Sequence, residues 1–233
     1  MHCANDLTGR YSAAIGSRWL LTTRQPVNVM KKPSSTREKL LAVAFDLIWD
    51  SSYGSVSVED ICQRAGVNKG SFYHFFPSKS ELAIEAYRDR WEAVRPLYEE
   101  IFAAEVAPLE RLDRWCDHIL TVQREKAAEY GHVCGCPYAT VGAELATQDE
   151  RIRASSEELI YAGRKYVEGA ITAALLEGSV SAGDPAQLSR RIYSVCLGML
   201  FEARVQNNLE ILHDLKPTIM EILGIKAAAV PIT

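Results

Sequence analysis

The chain has 233 residues, 48% of them hydrophobic, and a formal net charge of −4. Such a length buries a real core in one large or two modest domains, and no apolar run approaches the roughly 20 residues that cross a bilayer, which excludes an integral helical membrane protein. The charge is uneven: residues 1–90 carry 12 Lys or Arg against 9 Asp or Glu, and residues 91–233 carry 14 against 21, so a polyanion-binding region belongs near the N-terminal end.

Residues 1–29 show no sustained helical or strand period, and Arg18 interrupts their one apolar cluster. They read as disordered, and Met30-Lys31-Lys32-Pro33 as a natural beginning, which makes residues 1–33 a disordered or non-native extension. The functional alternative is a basic arm whose Arg10, Arg18, Arg24, Lys31 and Lys32 reach along phosphates or into a minor groove. Ser35 and Glu38 then form a capping box, and Leu41, Ala44, Phe45 and Ile48 follow at i, i+3, i+4, i+7, which predicts an amphipathic helix.

The stretch Ser57–Phe76, SVEDICQRAGVNKGSFYHFF, reads as two short helices joined by a tight turn. Ser57 and Asp60 make a capping-box-like start, Ile61 and Ala65 face inward, Gly66 ends the first helix through a positive φ, and Val67 plugs the corner. Asn68 caps the second helix, which carries no acidic residue and presents Lys69, Ser71, Tyr73 and His74 around Gly70. Cationic and hydroxyl donors of this kind, beside a helix N-terminus, suit phosphate oxygens and base edges. Phe72, Phe75 and Phe76 are expected to anchor this helix from behind, and Pro77 to stop it. Ser78 to Glu81 is a further capping box, opening a helix with Ala83, Ala86, Tyr87, Arg90, Trp91 and Val94 on one side and an expected end near Pro96.

The run AGVNKGSFYHFFPSKSEL resembles the recognition-helix signature of the TetR family of bacterial transcriptional repressors, in register from about Thr36 to Tyr87. The family pattern has Gly before an aromatic residue ahead of the first short helix, whereas here the order is Tyr53-Gly54. The resemblance implies an all-α protein of about nine helices. A three-helix helix-turn-helix head spans residues 34–94, and a helical effector-binding and dimerisation body spans 95–233.

From about Pro108 the chain reads as helical throughout, without hairpin signals or a Gly-rich phosphate loop. Leu109, Leu112, Cys116 and Ile119 make one stripe with Trp115 beside it. After a break at 129–136, Pro137 opens a helix with Tyr138, Val141 and Leu145. Asp149 caps a long helix carrying Leu159, Gly163, Tyr166, Val167, Ala170, Ile171 and Ala174 up to Gly178. Asp184-Pro185 opens the next, which is apolar on several sides between Ile192 and Phe201. Leu212, Leu215, Ile219, Met220, Ile222 and Leu223 mark a last helix. Together with the resemblance, this pattern implies a homodimer through the last two helices.

His132, Cys134 and Cys136 form an H-x-C-x-C group that suits a thiophilic metal or a redox pair, with Cys116 or His118 as distant further ligands. Its spacing is not a standard zinc signature, and packing or pocket lining is the simpler role. A Cys136 or Cys134 nucleophile activated by His132 lacks an orienting group and an oxyanion site. Six scattered cysteines and no secretion signal fit a reducing cytoplasm.

The expectation is a cytoplasmic, non-enzymatic repressor that binds double-stranded operator DNA and needs no cofactor or metal. Lys69 and His74 are placed at base edges or nearby phosphates, and Ser57, Ser71, Tyr73 and Lys79 at the backbone, with Val67, Asn68 and Gly70 completing the interface. The resemblance implies a cavity for a small hydrophobic or amphipathic effector, lined by Trp115, Cys116, Ile119, Cys136, Tyr138, Val141, Tyr166 and Phe201. The alternative is a repressor that senses oxidants through Cys134 and Cys136.

Overall fold

The computed structural model describes residues 35–225. The expectations for residues 1–29, for a start at Met30 and for a basic arm lie outside the described residues. Within them the protein is all-α: nine α-helices and one 3-10 segment, with no strand among the described residues.

Helix α1 (Thr36–Asp50) starts at the expected capping box. The Ser35 hydroxyl accepts from Glu38 N–H, and the Glu38 carboxylate accepts from Ser35 N–H at 3.1 Å. Its stripe of Leu41, Ala44, Phe45 and Ile48 is buried together with Leu40 and Trp49. Helices α2 (Val58–Ala65) and α3 (Lys69–Phe75) lean on that stripe through Ile61, Phe72 and Phe76, each at 0% exposure. Phe75 differs from its expectation: it is 37% exposed and stacks edge-on with His74, 4.8 Å between centroids. In a seven-residue helix, positions 72 and 76 share one face by the i, i+4 rule, and position 75 falls to its side.

Helix α4 (Lys79–Ile101) does not end at Pro96 but runs through it. Proline has no N–H to offer the Glu92 carbonyl, but both residues are exposed, so solvent can reach the position and the missing bond does not end the helix. Helices α5 (Pro108–Tyr130), α6 (Pro137–Leu145), α7 (Glu150–Glu177) and α8 (Pro185–Gln206) build the body. Asp149 caps α7, accepting from Arg151 and Ile152 N–H, and Asp184 caps α8 ahead of Pro185. The expected last helix is split into a 3-10 segment (Leu209–Asp214) and the short α9 (Leu215–Ile222).

Two apolar clusters hold these elements. One joins α1–α4 to body residues Cys134, Val141, Leu145, Ile152 and Leu159. The other lies within the body and includes Trp115, Val167, Ile171, Ile192, Leu212, Leu215 and Ile219. Polar bonds reinforce the junction between them. The Glu144 carboxylate of α6 accepts from Tyr53 and Gly54 N–H at 3.0 and 2.6 Å. A Cβ at residue 54 would stand 2.9 Å from that carboxylate, so the inverted Tyr53-Gly54 order puts glycine where α6 approaches most closely. Arg204 of α8 donates to the carbonyls of Trp49, Ser51 and Cys134, and α1 has no basic residue in its own last turn.

Candidate DNA interface and effector cavity

The first site is the outer face of α2 and α3. The Ser57 hydroxyl accepts from Asp60 N–H and donates to its carboxylate at 2.6 Å, which holds the Asp60 carboxyl below its usual range. Gly66 takes φ +66°, the left-handed conformation its position at the C-cap demands. Val67 tucks into the corner against the first cluster, and Asn68 caps α3 by accepting from Ser71 N–H at 2.8 Å. That leaves Lys69, Gly70, Tyr73 and His74 exposed along one edge, with Ser71 half-buried between them. Lys69 is paired with the exposed Glu59 of α2 at 3.0 Å.

Lys79 is arranged otherwise. Its ammonium donates to the carbonyls of Tyr53 and Val56, 2.9 Å each, and sits 3.9 Å above the Tyr53 ring. Partial burial depresses its pKa. Two of its three N–H groups therefore fix the turn before α2 to the start of α4, and its principal contacts are within the head.

The second site is a cavity of about 120 Å³ between α1, α4, α5, the start of α6 and α8. Its wall is aromatic: Phe45, Trp49, Trp91, Tyr98, Trp115, Tyr138 and Tyr193, with Ile119, Cys136 and Leu200. Trp115 stacks on Tyr193 at 5.8 Å, and Tyr138 meets Trp91 edge-on. Of the eight residues expected here, Trp115, Ile119, Cys136 and Tyr138 line the cavity. Cys116 is buried in the body cluster, Val141 faces a cleft beside Tyr87 and Ser155, and Tyr166 packs outside the wall on Tyr98 and Phe102. Phe201 points to solvent at 70% exposure. The helical stripe that carries Ile192, Cys196, Leu200 and Ala203 inward turns position 201 outward.

Residues absent from the expected set were legible in part. Tyr98 lies four residues after Val94, so ending α4 at Pro96 removed it from the stripe. Arg90 was on that stripe but read only as part of an amphipathic face. Nothing local in the sequence distinguishes Trp49 or Tyr193, whose places depend on α1 and α8 meeting α5.

The H-x-C-x-C group does not converge. His132 Nε2 lies 2.9 Å from the Asp50 carbonyl at the end of α1. Cys134 is fully buried in the head cluster, where burial pushes its thiol up to about 11. Cys136 faces the cavity on the other side, beside Cys196, its thiol also raised by burial. No group of three metal-ligating side chains occurs among the described residues. Gly135 explains the split: side chains two apart share a face in a regular strand, and its φ of +70° between the two cysteines breaks that alternation. Thiolate character, which sulfur oxidation and nucleophilic attack both need, is disfavoured at both sites.

A family model described as bacterial regulatory proteins, tetR family, matches residues 40–86, and one for the tetracyclin repressor-like C-terminal domain matches residues 108–218. An uncharacterized HTH-type transcriptional regulator of Lactococcus lactis is 27% identical over 201 residues, covering 82% of this chain and 96% of its own. The HTH-type transcriptional repressor NemR of Escherichia coli is 23% identical over 200 residues, with coverage of 82% and 96%. The crystal structure of a regulatory protein TetR from Rhodobacter sphaeroides aligns with a TM-score of 0.72 at 23% identity, covering 80% of this chain and 98% of that one.

Proposed function

Because the chain belongs to the TetR family of bacterial transcriptional regulators, we propose that it is a homodimeric repressor that reads a near-palindromic operator and is released by a small effector. The exposed edge of α3 carries the reading: Lys69, Tyr73 and His74 project from a helix whose back is locked by Phe72 and Phe76. One α3 per subunit enters successive major grooves, about 34–36 Å apart. Lys69 and His74 meet base edges or nearby phosphates, and Ser57, Asn68, Gly70, Ser71 and Tyr73 position the backbone. Val67 and Lys79 act by holding the turn and the start of α4. The protein works in the cytoplasm, as a DNA-bound regulator rather than an enzyme.

The dimer face is best supplied by α7 and α8, the last two long helices. Leu212, Leu215, Ile219 and Leu223, expected at the interface, are core of the subunit itself. On α8, by contrast, Phe201 and Val205 are 70% and 67% exposed and follow the open Gly198 at helical spacing. On α7, Leu176 and Tyr161 are exposed on either side of the open Gly169. Small residues between large apolar ones let two helix pairs approach across a two-fold axis.

The effector acts on α4, which follows α3 directly and forms one cavity wall through Trp91, Val94 and Tyr98. A ligand that favours the arrangement with the heads wrongly spaced weakens operator binding by the factor with which DNA weakens the ligand. The test is fluorescence anisotropy on DNA upstream of its own gene and on random DNA, over a salt series. Tyr73→Phe is expected to weaken both DNAs alike, while Lys69→Ala weakens the operator more and lowers the salt slope by about 1. Unchanged operator affinity in Lys69→Ala, Tyr73→Phe and His74→Ala together would remove α3 from the interface.

A further inference from the structure

Among the described residues Arg90 is the only lysine or arginine on the cavity wall, and it has neither a hydrogen bond nor a carboxylate within ion-pair distance there, although its charge does act on the Asp46 carboxylate from farther off. Its guanidinium lies over the Phe45 ring, 5.6 Å from the centroid. Every other polar group on the wall is neutral or matched. Gln123 is bonded both ways to the Gly135 backbone, and Trp49 Nε1 donates to the Gly135 carbonyl at 2.9 Å. The hydroxyls of Tyr138 and Tyr193 have no hydrogen-bond partner among the described residues. Burial holds Tyr138 protonated and His118 neutral near pH 7, so both are available as donors and neither adds charge.

A half-buried cation and free donors in an aromatic enclosure with no acid on its wall is the inverse of a cation cage, in which aromatic faces take up a positive ligand. A quaternary ammonium would meet Arg90 as a like charge, whereas a carboxylate would give the guanidinium the planar, bidentate partner it lacks. Volume limits the rest of the ligand: a protein cavity that takes benzene measures about 150 Å³, and this one, at about 120 Å³, takes at most one ring, with the carboxylate lying towards the half-exposed Arg90 and not inside that volume. We propose that the cavity takes a compact organic acid, one aromatic ring or an unsaturated chain of similar size, with its carboxylate on Arg90 and its apolar face between Trp91, Trp115 and Tyr138. This rests on the reading of the cavity as the effector site.

Three of the four tryptophans line the cavity, so occupancy is visible in intrinsic fluorescence without DNA. The full chain is titrated at fixed ionic strength with benzoate, with its neutral counterpart benzamide and with benzyltrimethylammonium, and operator anisotropy is measured separately. Benzoate is expected to give a saturable change and the other two at least about tenfold weaker ones. Arg90→Met is expected to abolish the preference for benzoate over benzamide, and Arg90→Lys to retain part of it, with melting curves showing that both are folded. Equal or tighter binding of benzamide or the ammonium, an unaltered preference in Arg90→Met, or silence of all three probes at millimolar concentration overturns the proposal. Benzoate binding that depends on Arg90 yet leaves operator affinity unchanged would uphold the acid site and refute the effector reading.

Discussion

Replacing Arg204 by methionine isolates the link between α8 and the head, because the aliphatic stem is kept while the guanidinium is lost. That group donates to the carbonyls of Trp49, Ser51 and Cys134 at 3.1, 2.5 and 2.5 Å. It is also the cation at the C-terminal end of α1, which carries none of its own. A hydrogen bond from a charged donor contributes about 1.5–3 kcal/mol. Ser51 is exposed and its carbonyl recovers water, whereas Trp49 and Cys134 are buried. Two bonds at the low end give a loss of about 3 kcal/mol. For a chain of this size that lowers Tm by about 6–12 °C. Arg204→Lys, which cannot span three carbonyls, is expected to fall about halfway. The assay is thermal unfolding by circular dichroism at one fixed protomer concentration, since the stability of the proposed dimer would vary with concentration. A Tm for Arg204→Met within about 1 °C of the parent would show that water replaces the guanidinium at no net cost, and the mechanical link argued from it would fall.

Two further perturbations address the body. Burial lowers the His118 pKa to about 4, against about 6.5 unfolded. The unfolded chain therefore binds the extra proton first, and the stability associated with neutral His118 is full above pH 6.5 and lost as pH falls towards 4. Urea unfolding at pH 7 and pH 5 is expected to show a drop about 2 kcal/mol smaller in His118→Gln than in the parent; equal drops would refute a depressed pKa. At Gly163, a Cβ would overlap the Tyr193 hydroxyl, so Gly163→Ala is expected to cost about 1–3 kcal/mol and to disturb the tryptophan emission of Trp115, stacked on Tyr193. The double variant with Tyr193→Phe should recover most of that loss, and failure to recover would place the strain elsewhere.

The head was legible because its signals are local. Capping boxes at Ser35 and Ser57, a left-handed Gly66 and the Asn68 cap all act within four residues, and each appears where its spacing places it. The cavity was half legible, because helical periodicity identifies a buried face but not which other helix it meets. Trp115 and Tyr138 could be drawn from their own stripes, whereas Trp49, Arg90 and Tyr193 become wall residues only when α1, α4 and α8 converge on α5. Errors arose where a local rule met an exception set by solvent. Pro96 stops a helix only if the freed carbonyl has no alternative partner. Phe201 reads as a cavity residue because its neighbours on α8 are apolar, although its own position points outward. Lys79, read as a phosphate ligand, also meets the carbonyls of Tyr53 and Val56, a tertiary contact that no local signal announces.

The place of Pro96 has a mechanical consequence. Between Lys79 and Arg95 α4 is uninterrupted, and its only proline lies between the cavity contacts Val94 and Tyr98, on the side of Trp91 away from the head. The helix is thus a beam with a stiff arm towards DNA and a compliant one behind its fulcrum. At 1.5 Å per residue the stiff arm from Trp91 to Lys79 is about 18 Å long, so a tilt of about 5° at the cavity displaces the root of α3 by about 1.6 Å. The same tilt on the other arm is absorbed in part at the proline. In the proposed dimer, leverage of this kind would let a ligand of a few heavy atoms, shifting aromatic rings by tenths of an ångström, change the span between two reading heads by a distance that base-edge hydrogen bonds do not tolerate.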